Sequence, residues 1–143
     1  MKIIKLIENY LILKTKHPHS LIIIKSGIFY LGFNNDAKVM AYLFNYKIKK
    51  GENYLLIGFP TAIIDKITKK FNELKLAYII VNNGDTYVSK SNQLTTKKYK
   101  RLVNQSAHIY QVTNQIEDIY EKLNNLKNTT SIKRIINQIN KII

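Results

Sequence analysis

Two short basic runs in this chain have the composition needed to grip phosphate. Lys97, Lys98, Lys100 and Arg101 crowd around Tyr99, and Lys47, Lys49 and Lys50 around Ile48. Cations offer charge to a phosphate backbone, and an interleaved aromatic offers a flat face to a base. A third stretch, "KSGIFYLGFNNDA" at 25–37, sets Ile28, Phe29, Tyr30, Leu31 and Phe33 around two glycines. On a strand, Phe29, Leu31 and Phe33 share one side while Ile28 and Tyr30 face the other. Phe29 is then a core residue, a docking residue paired with Leu31, or a wedge held out for a base. For each basic run the competing reading is a solvated surface.

Other chemistry is sparse. With no cysteine there is no thiolate nucleophile, disulfide or thiolate zinc site. The phosphate-cradling loop, the dinucleotide glycine fingerprint and the serine nucleophile elbow are all missing. His17 and His19 flank Pro18 without a third metal ligand, and His108 stands apart. Glu117, Asp118 and Glu121 read as a solvated helix face, whereas two-metal chemistry needs carboxylates converging on a cation pair. The expectation is a protein that is not an enzyme, with no catalytic residue, metal or cofactor.

Charge is the strongest global signal. Lys plus Arg number 23 against nine acids, a formal net charge of +14 on 143 residues. Such a field attracts polyanions, nucleic acid before acidic membrane, although the Ile, Asn and Lys bias also fits compositional drift. No apolar run reaches the roughly 18 residues of a membrane span, and the start does not read as a secretory signal. A cytoplasmic protein without a membrane partner is expected.

Stepping along the chain, apolar spacing from Ile3 through Ile7, Tyr10 and Leu11 predicts a helix that His17-Pro18 ends. "LIIIK" (21–25) reads as a strand buried on both faces, and "IFYLGF" (28–33) pairs back on it after Ser26-Gly27. A helix follows from about Asp36 to Phe44. Strands are expected at 46–50, 53–59 and 76–82, with a turn at Asn83-Gly84 into a further short strand. Pro60 is placed at the start of a helix carrying Ile63, Ile64, Ile67, Phe71 and Leu74 on one stripe, with Lys66, Lys69 and Lys70 outside it. Residues 91–108 read as a strand, a short helix or a linker. Ile109, Val112, Ile116, Ile119, Leu123 and Leu126 then form a narrow seam. After a cap at Thr130 or Ser131, a last helix carries Ile132, Ile135, Ile136, Ile139, Ile142 and Ile143.

The first 90 or so residues resemble the N-terminal mismatch-recognition domain of MutS proteins. "ENYLILKTKHPHSLIIIKSGIFYLGFNNDA" resembles that family's opening helix, its tyrosine–lysine–proline segment, its first strand, its Gly-x-Phe-Tyr-Glu strand and its acidic-alanine helix start. "YKIKKG", "LIGFP" and "LKLAYIIVNN" follow in the family's order, at comparable spacing. The resemblance implies an α/β fold, a mixed sheet flanked by helices over 1–92; the residue pattern beyond it is read as a basic linker and C-terminal helical hairpin over 93–143.

It also implies that Phe29 matches the phenylalanine that stacks on a mispaired base, with Tyr30 its neighbour. Leu31 stands where the family has a glutamate that hydrogen-bonds the base, so the base-reading acceptor is missing. Ile28 replaces the usual aspartate, and no ATPase accompanies the domain. Expected nucleic-acid contacts are Phe29, Tyr30, Lys47, Lys49, Lys50, Lys97, Lys98, Tyr99, Lys100 and Arg101, with Lys14 and Lys25 as weaker candidates. Expected partner-docking residues are Leu31, Ile109, Ile116 and Leu123. Small stand-alone proteins of this type accompany reverse transcriptases in diversity-generating retroelements. The resemblance therefore implies an accessory protein that binds RNA, DNA or a hybrid beside such a polymerase. A free-standing sensor of distorted DNA and a protein-interaction module are the alternatives.

Overall fold

The computed structural model describes residues 3–125 and 130–142. The elements are α1 (Ile3–Lys16), β1 (Leu21–Ser26), β2 (Phe29–Phe33), α2 (Asn34–Phe44), β3 (Lys49–Lys50) and β4 (Leu55–Pro60). A 3₁₀ turn (Thr61–Ile63) leads into α3 (Ile64–Glu73), then β5 (Tyr78–Asn82), β6 (Asp85–Val88), α4 (Gln93–Asn125) and α5 (Thr130–Ile142). Leu126 and Ile143, expected on apolar helix faces, lie outside the described residues. So do the side chains of Thr130, Ser131, Ile132 and Ile135.

One mixed sheet runs β3-β4-β2-β1-β5-β6. Only β1 and β5 pair in parallel; the other neighbours are antiparallel. β1 is its centre because Leu21, Ile22, Ile23 and Ile24 are all buried, two to each face. Burying each such side chain contributes about 1.5–3 kcal/mol. Ile22 and Ile24 meet Leu6 and Tyr10 of α1 on one face. Leu21 and Ile23 join Met40 of α2, Ile67 and Phe71 of α3 and Tyr99 of α4 on the other. The layering is thus one helix on one face and three on the other, the mixed α/β architecture expected.

Turn chemistry sets the hairpins. The β1–β2 loop is two residues long, and Gly27 takes its first position at φ 62°, where a side chain would be strained. Asn83 and Gly84, at φ 48° and 93°, make the two-residue turn between β5 and β6.

Three local expectations are corrected. Pro60 ends β4 in an extended conformation (ψ 141°) instead of opening a helix, and α3 starts four residues later. The strand expected at 46–50 shrinks to Lys49–Lys50: Asn45 closes α2 at φ 57°, and Tyr46 stacks on Phe44 and Phe59 before the chain reaches β4. The stretch expected as a basic linker from residue 93 is helical throughout its length as part of α4.

The described chain forms two compact units, residues 1–107 and 108–143. The first therefore includes the opening turns of α4, whose Tyr99, Leu102 and Val103 pack in its core. The second pairs the rest of α4 with α5, and within it the Tyr120 hydroxyl donates to Asn140 Oδ1 at 2.7 Å.

Candidate nucleic-acid interface

The tip of the β1–β2 hairpin holds the best-defined candidate. Phe29 opens β2, paired with Ser26 of β1 on one side and Pro60 of β4 on the other. The Thr61 N–H donates to the Ile28 carbonyl at 2.9 Å, which fastens the loop to the end of β4. On this fixed backbone Phe29 is 44% exposed and Ile28 72%. Phe29 is therefore not a core side chain. A rigid, half-exposed aromatic beside a second exposed apolar residue can stack on a flat partner at little entropic cost.

Tyr30 is the corrected half of the pair. It points to the opposite face, 4% exposed, with its ring 5.7 Å from that of Phe59 in the core. It has no face to offer a base. Leu31 is half-buried and lies over Gly58, its Cδ2 3.2 Å from where a Cβ on that glycine would sit. It fills the position beside Phe29 with hydrocarbon and supplies no acceptor for a base edge.

The basic run on α4 divides sharply. Lys97, Lys100 and Arg101 are exposed and Lys98 half-exposed. Asn92 caps this helix, its Oδ1 accepting from the Thr95 N–H at 3.0 Å while Thr95 Oγ1 accepts from the Asn92 N–H at 2.9 Å. Lys97 and Lys100 line a hollow of about 460 Å³ with Ser91, Asn92, Gln93 and Thr96. Tyr99, in the middle of the run, turns the other way and is 4% exposed. This too is a correction: its ring is part of the core and cannot stack on a ligand.

What draws Tyr99 inward is Asp36, a fully buried carboxylate. Tyr99 donates to its Oδ1 at 2.6 Å and Tyr10 to its Oδ2 at 2.9 Å. The Ile22 N–H reaches Oδ2 at 3.2 Å, and Lys14 Nζ forms an ion pair with Oδ1 at 2.9 Å. Lys14 also donates to the Ser20 carbonyl at 2.7 Å and sits 4.4 Å from the centroid of the Tyr99 ring. A buried charge is tolerable only when neutralised and hydrogen-bonded, and this one is both. Burial pushes the Tyr10 and Tyr99 phenols up, and the nearby Asp36 charge pushes them further. Burial pulls the Lys14 ammonium down, against the opposing pull of Asp36. Lys14 is thus committed to the interior and drops out as a phosphate contact.

Lys47, Lys49 and Lys50 are exposed, but alternation relates them poorly because the ladder starts only at Lys49. Lys50 pairs with Leu55 and Phe29 with Pro60, at opposite ends of β4. Five residues of strand separate the two, about 17 Å. The structure therefore does not gather these lysines around Phe29. Lys25, half-exposed near the end of β1, pairs with Tyr30 beside the tip. Sequence reasoning missed Pro60 as the tip's second support; the Gly-Phe-Pro run at 58–60 was its only signal.

In the second unit, Ile109, Ile116 and Ile119 are about half exposed and Val112 37%, while Leu123 is half-buried. The expected docking residues Ile109 and Ile116 are thus on the surface of α4. Among the described residues no three His, Asp or Glu side chains converge as a metal set, and no helix is long and apolar enough to cross a membrane.

A family model described as MutS domain I matches residues 5–140. The DNA mismatch repair protein MutS of Thermotoga petrophila is 27% identical over 103 residues, 72% of this chain and 13% of that protein. Its namesake from Thermotoga neapolitana is 28% identical over 107 residues, 75% of this chain and again 13% of the relative. The matched stretch is thus a small fraction of those proteins. With the exposed aromatic at the head of β2, the buried acid at the start of α2 and a match over nearly the whole chain, this protein belongs to the MutS domain I family.

Proposed function

We propose that this chain is a non-catalytic, cytoplasmic nucleic-acid-binding protein. It holds the backbone through its lysines and presses Phe29 against a base at a distorted or unpaired step. The observation that carries this reading is the exposure of Phe29 on a hairpin tip anchored to strands on both sides. Wedging costs least where stacking is already weak, so bulges and open junctions are its natural substrates. Binding of matched and bulged duplexes, with and without Phe29→Ala, tests it. The wild-type chain should prefer the bulge, and the substitution should remove about 1–3 kcal/mol of that preference. Equal affinities for both duplexes in the wild-type chain would overturn the reading.

A finer reading makes the chain an accessory of a reverse transcriptase, engaging template RNA or the RNA–DNA hybrid. The exposed seam of Ile109, Val112, Ile116 and Ile119 supports a protein-docking role. Co-purification with a neighbouring reverse transcriptase, lost on Ile116→Lys, is expected; a chain that stays alone in the presence of polymerase and RNA contradicts it. A sensor of base identity is the weaker alternative, because Leu31 offers no hydrogen bond to a base.

A further inference from the structure

A groove away from the hairpin tip gathers three cations that the wedge does not use. Lys66, Lys69 and Lys70 stand three and four residues apart on α3 and share one of its faces. Opposite them are Phe44 and Tyr46, on either side of Asn45 at the end of α2. The groove between has a volume of about 520 Å³, and Glu73 is the one acid in its lining. No hydrogen bond or ion pair from the described residues engages the three ammonium groups.

The aromatic wall decides what the groove can accept. The Tyr46 ring runs nearly parallel to two others, Phe44 at 5.8 Å and 27° and Phe59 at 6.5 Å and 16°. Phe44 in turn meets Phe71 edge-on at 6.0 Å. Tyr46 is thus already engaged with the rings of the core. Ring edges carry partial positive charge, which suits anionic oxygens. Three cations along a wall of rings already packed on one another favour a phosphodiester backbone over a nucleobase. Phe44 and Tyr46 also pack on the sheet face of α2 and α3, whereas Leu31 and Phe33, which share Phe29's side, face α1.

We propose that this groove holds the phosphodiester backbone of a nucleic-acid strand, as a second and sequence-independent contact on the sheet face opposite Phe29. The proposal rests on the nucleic-acid reading above and adds a place and a chemistry to it. Pro60, paired with Phe29, is joined to α3 by a single 3₁₀ turn, so a short rigid segment connects the two contacts.

The test uses the full chain and a single-stranded oligothymidylate of about 20 nucleotides, followed by fluorescence anisotropy. Lys66→Glu/Lys69→Glu changes two exposed groove lysines; Lys5→Glu/Lys16→Glu makes the same charge change on exposed positions of α1. The groove pair should weaken binding roughly tenfold and lower the slope of log K against log salt by about 1.4, at about 0.7 per single-strand phosphate. The α1 pair should change both far less. Equal losses from the two pairs, or none from the groove pair, would overturn the proposal. So would a groove-pair loss seen with polyglutamate and not with the oligonucleotide, which assigns the groove to an acidic protein. The bulge preference set by Phe29 is measured separately, so a silent groove leaves the wedge reading standing.

Discussion

Phe29 and Tyr99 are both aromatics that the sequence offers as base-stacking candidates, and they end in opposite environments. Phe29 stands half-exposed at the head of β2; Tyr99 is sealed in the core with its hydroxyl on Asp36. The difference lies in what is close by. The strand partners of Phe29, Ser26 and Pro60, bring it no buried charge, whereas a buried carboxylate must be surrounded by donors whatever elements supply them. Asp36 collects Tyr10 and Lys14 from α1, Ile22 from β1 and Tyr99 from α4, and so ties four elements together. One region keeps the molecule folded and the other is left free to touch a partner.

The largest expected effect breaks this division from the inside. Asp36→Ala strands Lys14 and two tyrosine hydroxyls together, and should cost about 3–5 kcal/mol in urea unfolding. Phe29→Ala should cost well under half of that, because it removes a half-exposed ring. If the two substitutions destabilise equally, the tip is structural and the contrast fails.

A smaller effect comes with pH. The folded-state phenols of Tyr10 and Tyr99 are raised above 10.0, so the unfolded chain loses those protons first and stability falls as pH rises past about 10. Lys14, lowered when folded, works in the opposite direction, one group against two. The stability advantage of the wild-type chain over Tyr99→Phe should therefore shrink between about pH 9 and pH 11. An advantage that grows over that interval would mean that the Asp36 centre is wired differently. The smallest effect sharpens the tip itself. Leu31→Glu should add about 1 kcal/mol of discrimination between a mispaired and a bulged base, the value of one net hydrogen bond. Competition binding measures it, and unchanged discrimination would place residue 31 out of reach of the base.

Much of the fold could be read from local pattern. Four consecutive large aliphatic residues marked β1 as the strand buried on both faces, Gly27 and Asn83-Gly84 marked the β1–β2 and β5–β6 hairpins, and the isoleucine stripe marked α3. The opening of α4 was not legible, because its buried positions include Thr95, Ser106 and Tyr99, which blur the apolar rhythm. The inward turn of Tyr99 had no local signal at all: its partner is 63 residues away. The exposure of Phe29 was equally open, since alternation tells which residues share a face and not how far a covering helix extends. The lysines of α3 were visible as a polar face, but the aromatic wall opposite them comes from residues 44 and 46, across two strands and a 3₁₀ turn.

The most direct measurement places 2-aminopurine next to a one-nucleotide bulge and follows its fluorescence on binding. If Phe29 enters the stack, the wild-type chain changes that signal and Phe29→Ala binds with the signal unchanged. An identical fluorescence change from both proteins would contradict the account.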